Sequence, residues 1–160
     1  MAPRPDRPLT EGEWAALTPG LARALRGAGA APLLRDRNHP GAAIAALWRG
    51  GQAPVLTRHD VIWWSRAADD LSRPGQEQGM SVLQHELQHV LDYRIGWLTL
   101  VRYVLRPANW SYDWAITPGR PWDDYGAEQR ASIAEQIWLA DNGLAPQNSV
   151  EALRRLVPWA

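Results

Sequence analysis

Between residues 78 and 95, apolar side chains recur at Met80, Leu83, Leu87, Val90 and Leu91, the spacing of a helix that lays one face on a core. Gly96 follows directly, so the pattern predicts a helix that stops there. Ahead of it, "PVLTRHDVIWWS" holds two short β-rich runs, 55–57 and 61–64, around a polar turn at 58–60, which predicts a hairpin. Near the start, "TEGEWAAL" places Thr10 three residues before Glu13, a capping box that predicts a short helix to about residue 17. Thr18 and Pro19 then open a second helix over "PGLARALRG". "APLLRD" reads as a short strand, and "AAIAALWR", apolar without a clean period, as a short buried helix.

Downstream, "WLTLVRYVL" predicts a helix ended by Pro107. "ANWSYDWAITPGRPWDDYG" is too rich in Pro, Gly and aromatic residues to be regular, and a loop of that length inside a compact domain is often functional. "AEQRASIAEQIWLADNG" predicts a helix stopped at Asn142-Gly143, and "SVEALRRLV" predicts a last one. Residues 1–9 hold three Pro and three charges with little to bury, and read as a flexible tail. The expectation is an α+β chain: one domain over 10–160, a small antiparallel sheet or hairpin packed on the long helix, and a mostly helical C-terminal half.

Composition narrows the chemistry. At 160 residues the chain is long enough for one domain with its own core. Its 17 basic and 17 acidic residues balance, giving no global electrostatic reason to expect nucleic acid or an anionic membrane as partner. Cys is absent, which excludes disulfides, thiolate metal sites and cysteine nucleophiles. Ten Trp bring indole N–H groups that need partners when buried, so polar seams are expected in the core. The start lacks an apolar signal-peptide run and no apolar stretch is of membrane-spanning length, so a soluble cytoplasmic protein is expected, with export left to a specialised machine.

The long helix carries "HELQH". Two histidines four apart project from one helical face, as two ligands of one tetrahedral zinc must. His85 and His89 fill those places, and Glu86 lies beside them where it can take a proton from a zinc-activated water. A catalytic zinc needs a third protein ligand. No histidine follows His89, so on that side it must be a carboxylate. Glu128 is the leading candidate, because it opens a helix on which Ala131 and Ser132 allow close approach; Glu135 and Asp123 are the alternatives. Asp92, one turn past His89, is placed to support a ligating histidine from outside. Tyr112, Tyr125, His59 and Arg130 are candidates for the hydrogen-bond donor that a developing oxyanion requires.

With these residues in hand, the chain resembles the zincins, specifically the gluzincin arrangement of HExxH plus a distant Glu. The order of "RPLTEGE", hairpin, "HELQHVLDY", "YDW" and "YGAEQRASIAEQ" is similar to that of small bacterial Vgr-related proteins, near the zincin-like domains of contractile injection systems such as type VI. The resemblance spans roughly residues 7–143. It implies a compact zincin-like fold, zinc on His85, His89 and Glu128, Glu86 as general base, and hydrolysis of a peptide or protein. A non-catalytic interaction or structural role alongside injection-system components is the alternative. Zincin substrates add as a strand along a sheet edge, for which 61–64 is the expected edge, with Trp63 and Trp64 lining the cleft. The chain departs from the thermolysin-like pattern at Ser132, where an Asp would orient a zinc histidine, and Asp92 or Asp124 is expected to substitute.

Overall fold

A computed structural model describes residues 5–40, 55–111, 115–117, 119–144 and 148–160. Among these, six helices and four short strands form an α+β fold. The strands are β1 (Arg7–Pro8), β2 (Leu33–Arg35), β3 (Leu56–Arg58) and β4 (Val61–Trp63). The helices are α1 (Glu11–Ala16), α2 (Pro19–Gly27), α3 (Glu77–Arg94), α4 (Leu100–Leu105), α5 (Ala127–Asp141) and α6 (Val150–Leu156). The buried helix expected over 42–49 lies outside the described residues.

The sheet runs β1-β2-β4-β3 and is mixed where an antiparallel one was expected. β3 and β4 form the expected antiparallel hairpin, but β2 runs parallel to β4. The register aligns Leu34 with Ile62, and both are buried on one face of the sheet. This pairing takes β4 into the interior of the sheet and leaves β3 at its end, so the 61–64 run is not the edge.

Residues 7–9 also depart from the expected tail. Arg7 and Pro8 pair with β2, and Leu9 is buried in the core. The anchor is Glu13, fully buried, whose carboxylate accepts from the Arg7 guanidinium (2.7 and 2.8 Å), Thr10 N–H (2.8 Å) and Leu71 N–H (2.9 Å). The sequence read Glu13 as half of a capping box, which it is, and the same carboxylate also ties β1 and a distant loop to α1.

The core gathers Leu21 and Leu25 of α2, Leu34 and Ile62 of the sheet, Leu83, Leu87 and Val90 of α3, Ile133 and Ile137 of α5, and Leu153 of α6. Each such fully buried side chain contributes about 2 kcal/mol of apolar burial. α3 is central: it packs on α5 more extensively than any other two elements meet, and also touches β3 and α2. It ends at Arg94, with Gly96 taking the left-handed conformation (φ 73°) that releases the chain toward α4. No helix among the described residues is long and apolar enough to cross a membrane.

Candidate metal centre

From Leu83 to Asp92 every residue of α3 is buried, so its polar face is as enclosed as its apolar one. An enclosed polar face needs partners. Gln84 Oε1 accepts from Thr18 N–H (3.4 Å), and Gln88 accepts from Trp159 Nε1 (3.0 Å) while donating to Asp92 Oδ1 (2.9 Å). His85 and His89 find theirs on α5. Its Ala127, Ala131 and Ala134 are fully buried at helical spacing, and these small side chains let the two helices close together.

That approach brings Glu128 Oε2 to 3.1 Å from His85 Nε2 and 3.6 Å from His89 Nε2. Ligand atoms around a tetrahedral zinc with bonds near 2.0 Å stand about 3.3 Å apart, so the two separations bracket the value a zinc shell requires. All three residues are buried, and this triad could hold a metal ion. The electrostatics agree with the geometry. Burial opposes charge on His85, but its hydrogen bonds to Glu128 and Glu135, with the nearby charges of Glu86 and Glu128, outweigh that and push its pKa up to about 10. Burial likewise opposes charge on Glu128, and the adjacent His89 and His85 hold its carboxyl well below the usual range. Carboxylates converging on two imidazoles in a dry site are a setting that favours a cation.

Around the triad, residues from several elements fix the geometry. Glu135 Oε2 lies 3.5 Å from His85 Nδ1, and its Oε1 accepts from Ser81 Oγ (3.1 Å). Glu135 therefore sits on the outer nitrogen of His85 and not among the converging ligand atoms. A carboxylate contact of this kind to a histidine of the motif was expected of Asp92 or Asp124, and at His85 it comes from Glu135. Tyr103 donates its hydroxyl to Glu128 Oε1 (2.8 Å). Glu86, the next residue after His85, is buried and accepts from Thr57 Oγ1 (2.7 Å) on β3.

Asp92 forms a buried ion pair with Arg130 (2.6 Å). Desolvation dominates there and raises Asp92 to about 6, despite Arg130, His89 and Gln88. Arg130 is itself almost fully buried between the rings of Trp97 and Trp122, 3.8 and 4.5 Å from their centroids. His89 Nδ1 and Asp92 Oδ2, one helical turn apart, are both buried without a hydrogen-bond partner among the described residues.

Other candidates fall elsewhere. Asp123 is largely exposed and pairs with Arg130 (3.3 Å). Tyr125 is buried in the core, its ring under the Arg120 guanidinium and its hydroxyl accepting from Thr117 N–H (3.4 Å). His59 stacks on Tyr93, and Trp63 is flanked by the guanidinium groups of Arg35 and Arg37. Tyr112 lies outside the described residues. Tyr103 and Thr57 escaped sequence reasoning, because an apolar two-turn helix and a three-residue strand carry no mark of what one polar tip will touch.

Comparison with protein-family models, curated proteins and solved structures returns no match.

Proposed function

We propose that the His85, His89 and Glu128 cluster is the zinc centre of a metal-dependent peptide hydrolase with Glu86 as general base. The observation that carries this reading is the meeting of a distant carboxylate with both HExxH imidazoles at zinc-shell spacing. Zinc held by these three residues would supply Lewis acidity toward a carbonyl and lower the pKa of water toward neutral. Glu86 would take the proton of the attacking water and return it to the leaving amine. Thr57 holds Glu86 Oε2 and leaves Oε1 as the basic oxygen. Because Thr57 lies on β3, the end strand of the sheet among the described residues, an extended peptide added along β3 would run past the carboxylate. A role beside a contractile injection machine is supported by the order of the motifs alone.

A second reading, in which zinc is held for structure, is favoured by the burial of His85, Glu86, His89 and Glu128, each 9% exposed or less. One experiment separates the two. Zinc content and cleavage of a peptide library are measured for wild type, Glu86→Gln and Glu128→Ala. The hydrolase reading expects one zinc per chain in wild type and Glu86→Gln, cleavage reduced about 10²-fold or more in Glu86→Gln, and in Glu128→Ala a residual affinity from the two imidazoles alone, too weak for zinc to survive dialysis. Wild type that holds zinc but cleaves no peptide makes the centre structural, and wild type that holds none removes both readings.

A further inference from the structure

The helix α4 has no buried residue, and Leu100, Val101, Val104 and Leu105 are all exposed. Its half-buried Tyr103 packs on the small cluster of Trp97, Leu98 and Ala127, and polar bonds fix the rest. Thr99 caps its start by accepting from Arg102 N–H (3.1 Å), Trp110 Nε1 donates to Tyr103 O (2.8 Å), and Asn109 Nδ2 donates to Arg102 O (2.8 Å). Asn109 is fully buried, and its Oδ1 accepts from Ala127 N–H (3.1 Å), the residue before Glu128. A single side-chain amide thus joins the backbone beside Tyr103 to the backbone beside Glu128. At Gly126 a Cβ would stand 1.9 Å from Ala108 O, so the turn that carries Asn109 is pressed directly against the start of α5.

A surface helix without fully buried residues is therefore fixed on both sides of Tyr103, whose hydroxyl reaches the buried Glu128 carboxylate. We infer that Tyr103 is a positioning residue of the metal site, its hydroxyl occupying Glu128 Oε1 so that Oε2 alone faces the two imidazoles. The inference rests on the metal reading above and adds how the carboxylate is presented. A carboxylate with one oxygen taken by a phenol binds a cation through the other. A metal with two imidazole nitrogens and one carboxylate oxygen keeps a position for water or substrate, which a two-oxygen carboxylate would crowd.

The test compares wild type, Tyr103→Phe, Glu128→Ala and the double variant. Zinc affinity is read by chelator competition, and the visible spectrum is read with cobalt(II) in place of zinc. Tyr103→Phe removes only a hydroxyl from a half-buried ring and should fold with unchanged circular dichroism. The expected result is zinc affinity about 10-fold weaker or more, the range seen when an outer partner of a ligand is removed. The cobalt band should weaken as Glu128 swings to bind through both oxygens. In the Glu128→Ala background, Tyr103→Phe should add nothing, because its effect passes through that carboxylate. Affinity within twofold of wild type with an unchanged cobalt spectrum overturns the inference while leaving the zinc centre standing. An equal effect in both backgrounds also overturns it, and wild type that binds neither metal removes it together with the metal reading.

Discussion

At the residue scale, the His85 and Glu128 pair sets the pH response of the metal-free protein, and zinc bound between them would reverse its direction. The folded pKa of His85, about 10, lies above its ordinary 6.5. The stability it contributes is therefore fully present below pH 6.5 and is lost as pH rises through 10. Glu128 is shifted the other way, so its contribution is present above its ordinary 4.5 and lost in acid. Chelator-treated protein should have its highest urea midpoint between about pH 4.5 and 6.5 and decline steadily toward pH 10. Zinc bound at this site would displace the proton from His85, so protein loaded with zinc should hold or gain stability over the same rise, with proton release on loading visible as a buffer-dependent heat. A metal-free midpoint that is flat from pH 6.5 to 10 would contradict this pairing. Thr57→Val tests the neighbouring bond to Glu86. Thr57 is only half-buried, so the change should cost about 1 kcal/mol of stability or less and alter activity through Glu86 without changing zinc content.

At the element scale, the α3 and α5 contact decides whether the site exists. Ala131→Leu should force the helices apart, costing roughly 1–3 kcal/mol by overpacking and weakening zinc binding far more than an equally destabilising change on α6. Thermal melts and chelator competition on the two variants would decide it, and equal zinc affinity in both would sink the argument. Asp92→Ala should cost more, about 3–5 kcal/mol, because it leaves the buried Arg130 charge between two indoles with the largely exposed Asp123 as its remaining ion-pair partner among the described residues. These elements also show what the sequence could reveal. The periodicity of 78–95, the Thr10–Glu13 capping box and the Gly96 stop are local signals, and the structure returns each within a residue or two. Glu128 was readable because elimination left few acids and small residues followed it. Sheet order was not readable, since strands of two or three residues carry too little pattern to specify register or direction. Nor was the full enclosure of α3, because Glu128, Trp159 and Thr18, which complete the cover of its polar face, arrive from far along the chain. The expected polar seams around Trp are found at Trp138, which donates to Ala16 O, and at Trp159, while Trp97 and Trp122 keep their indole N–H groups without partners among the described residues.

At the scale of the whole molecule, stability is unevenly distributed around the site. α3 and α5 belong to the main core, whereas α4, which supplies Tyr103, exposes most of its apolar surface and stands beside a minor cluster of Trp97, Leu98 and Ala127. Leu105→Ser, at the most exposed of these positions, should change the melting temperature by about 2 °C or less, since exposed substitutions stay within about 0.5 kcal/mol. A larger loss in that variant would mean that the exposed apolar side chains of α4 also hold it. The enclosure of α3 on every side also has a consequence in time. Its backbone amides from Leu83 to Asp92 should exchange with deuterium only when the entire fold opens, while those of α4 exchange through local opening many times faster. Two of the three residues that could hold a cation ride on the slow helix, so an ion bound there would leave at a rate set by movement of the molecule around it. Holding on to its metal in the presence of a strong chelator would then be a matter of hours gained through burial as much as of equilibrium affinity.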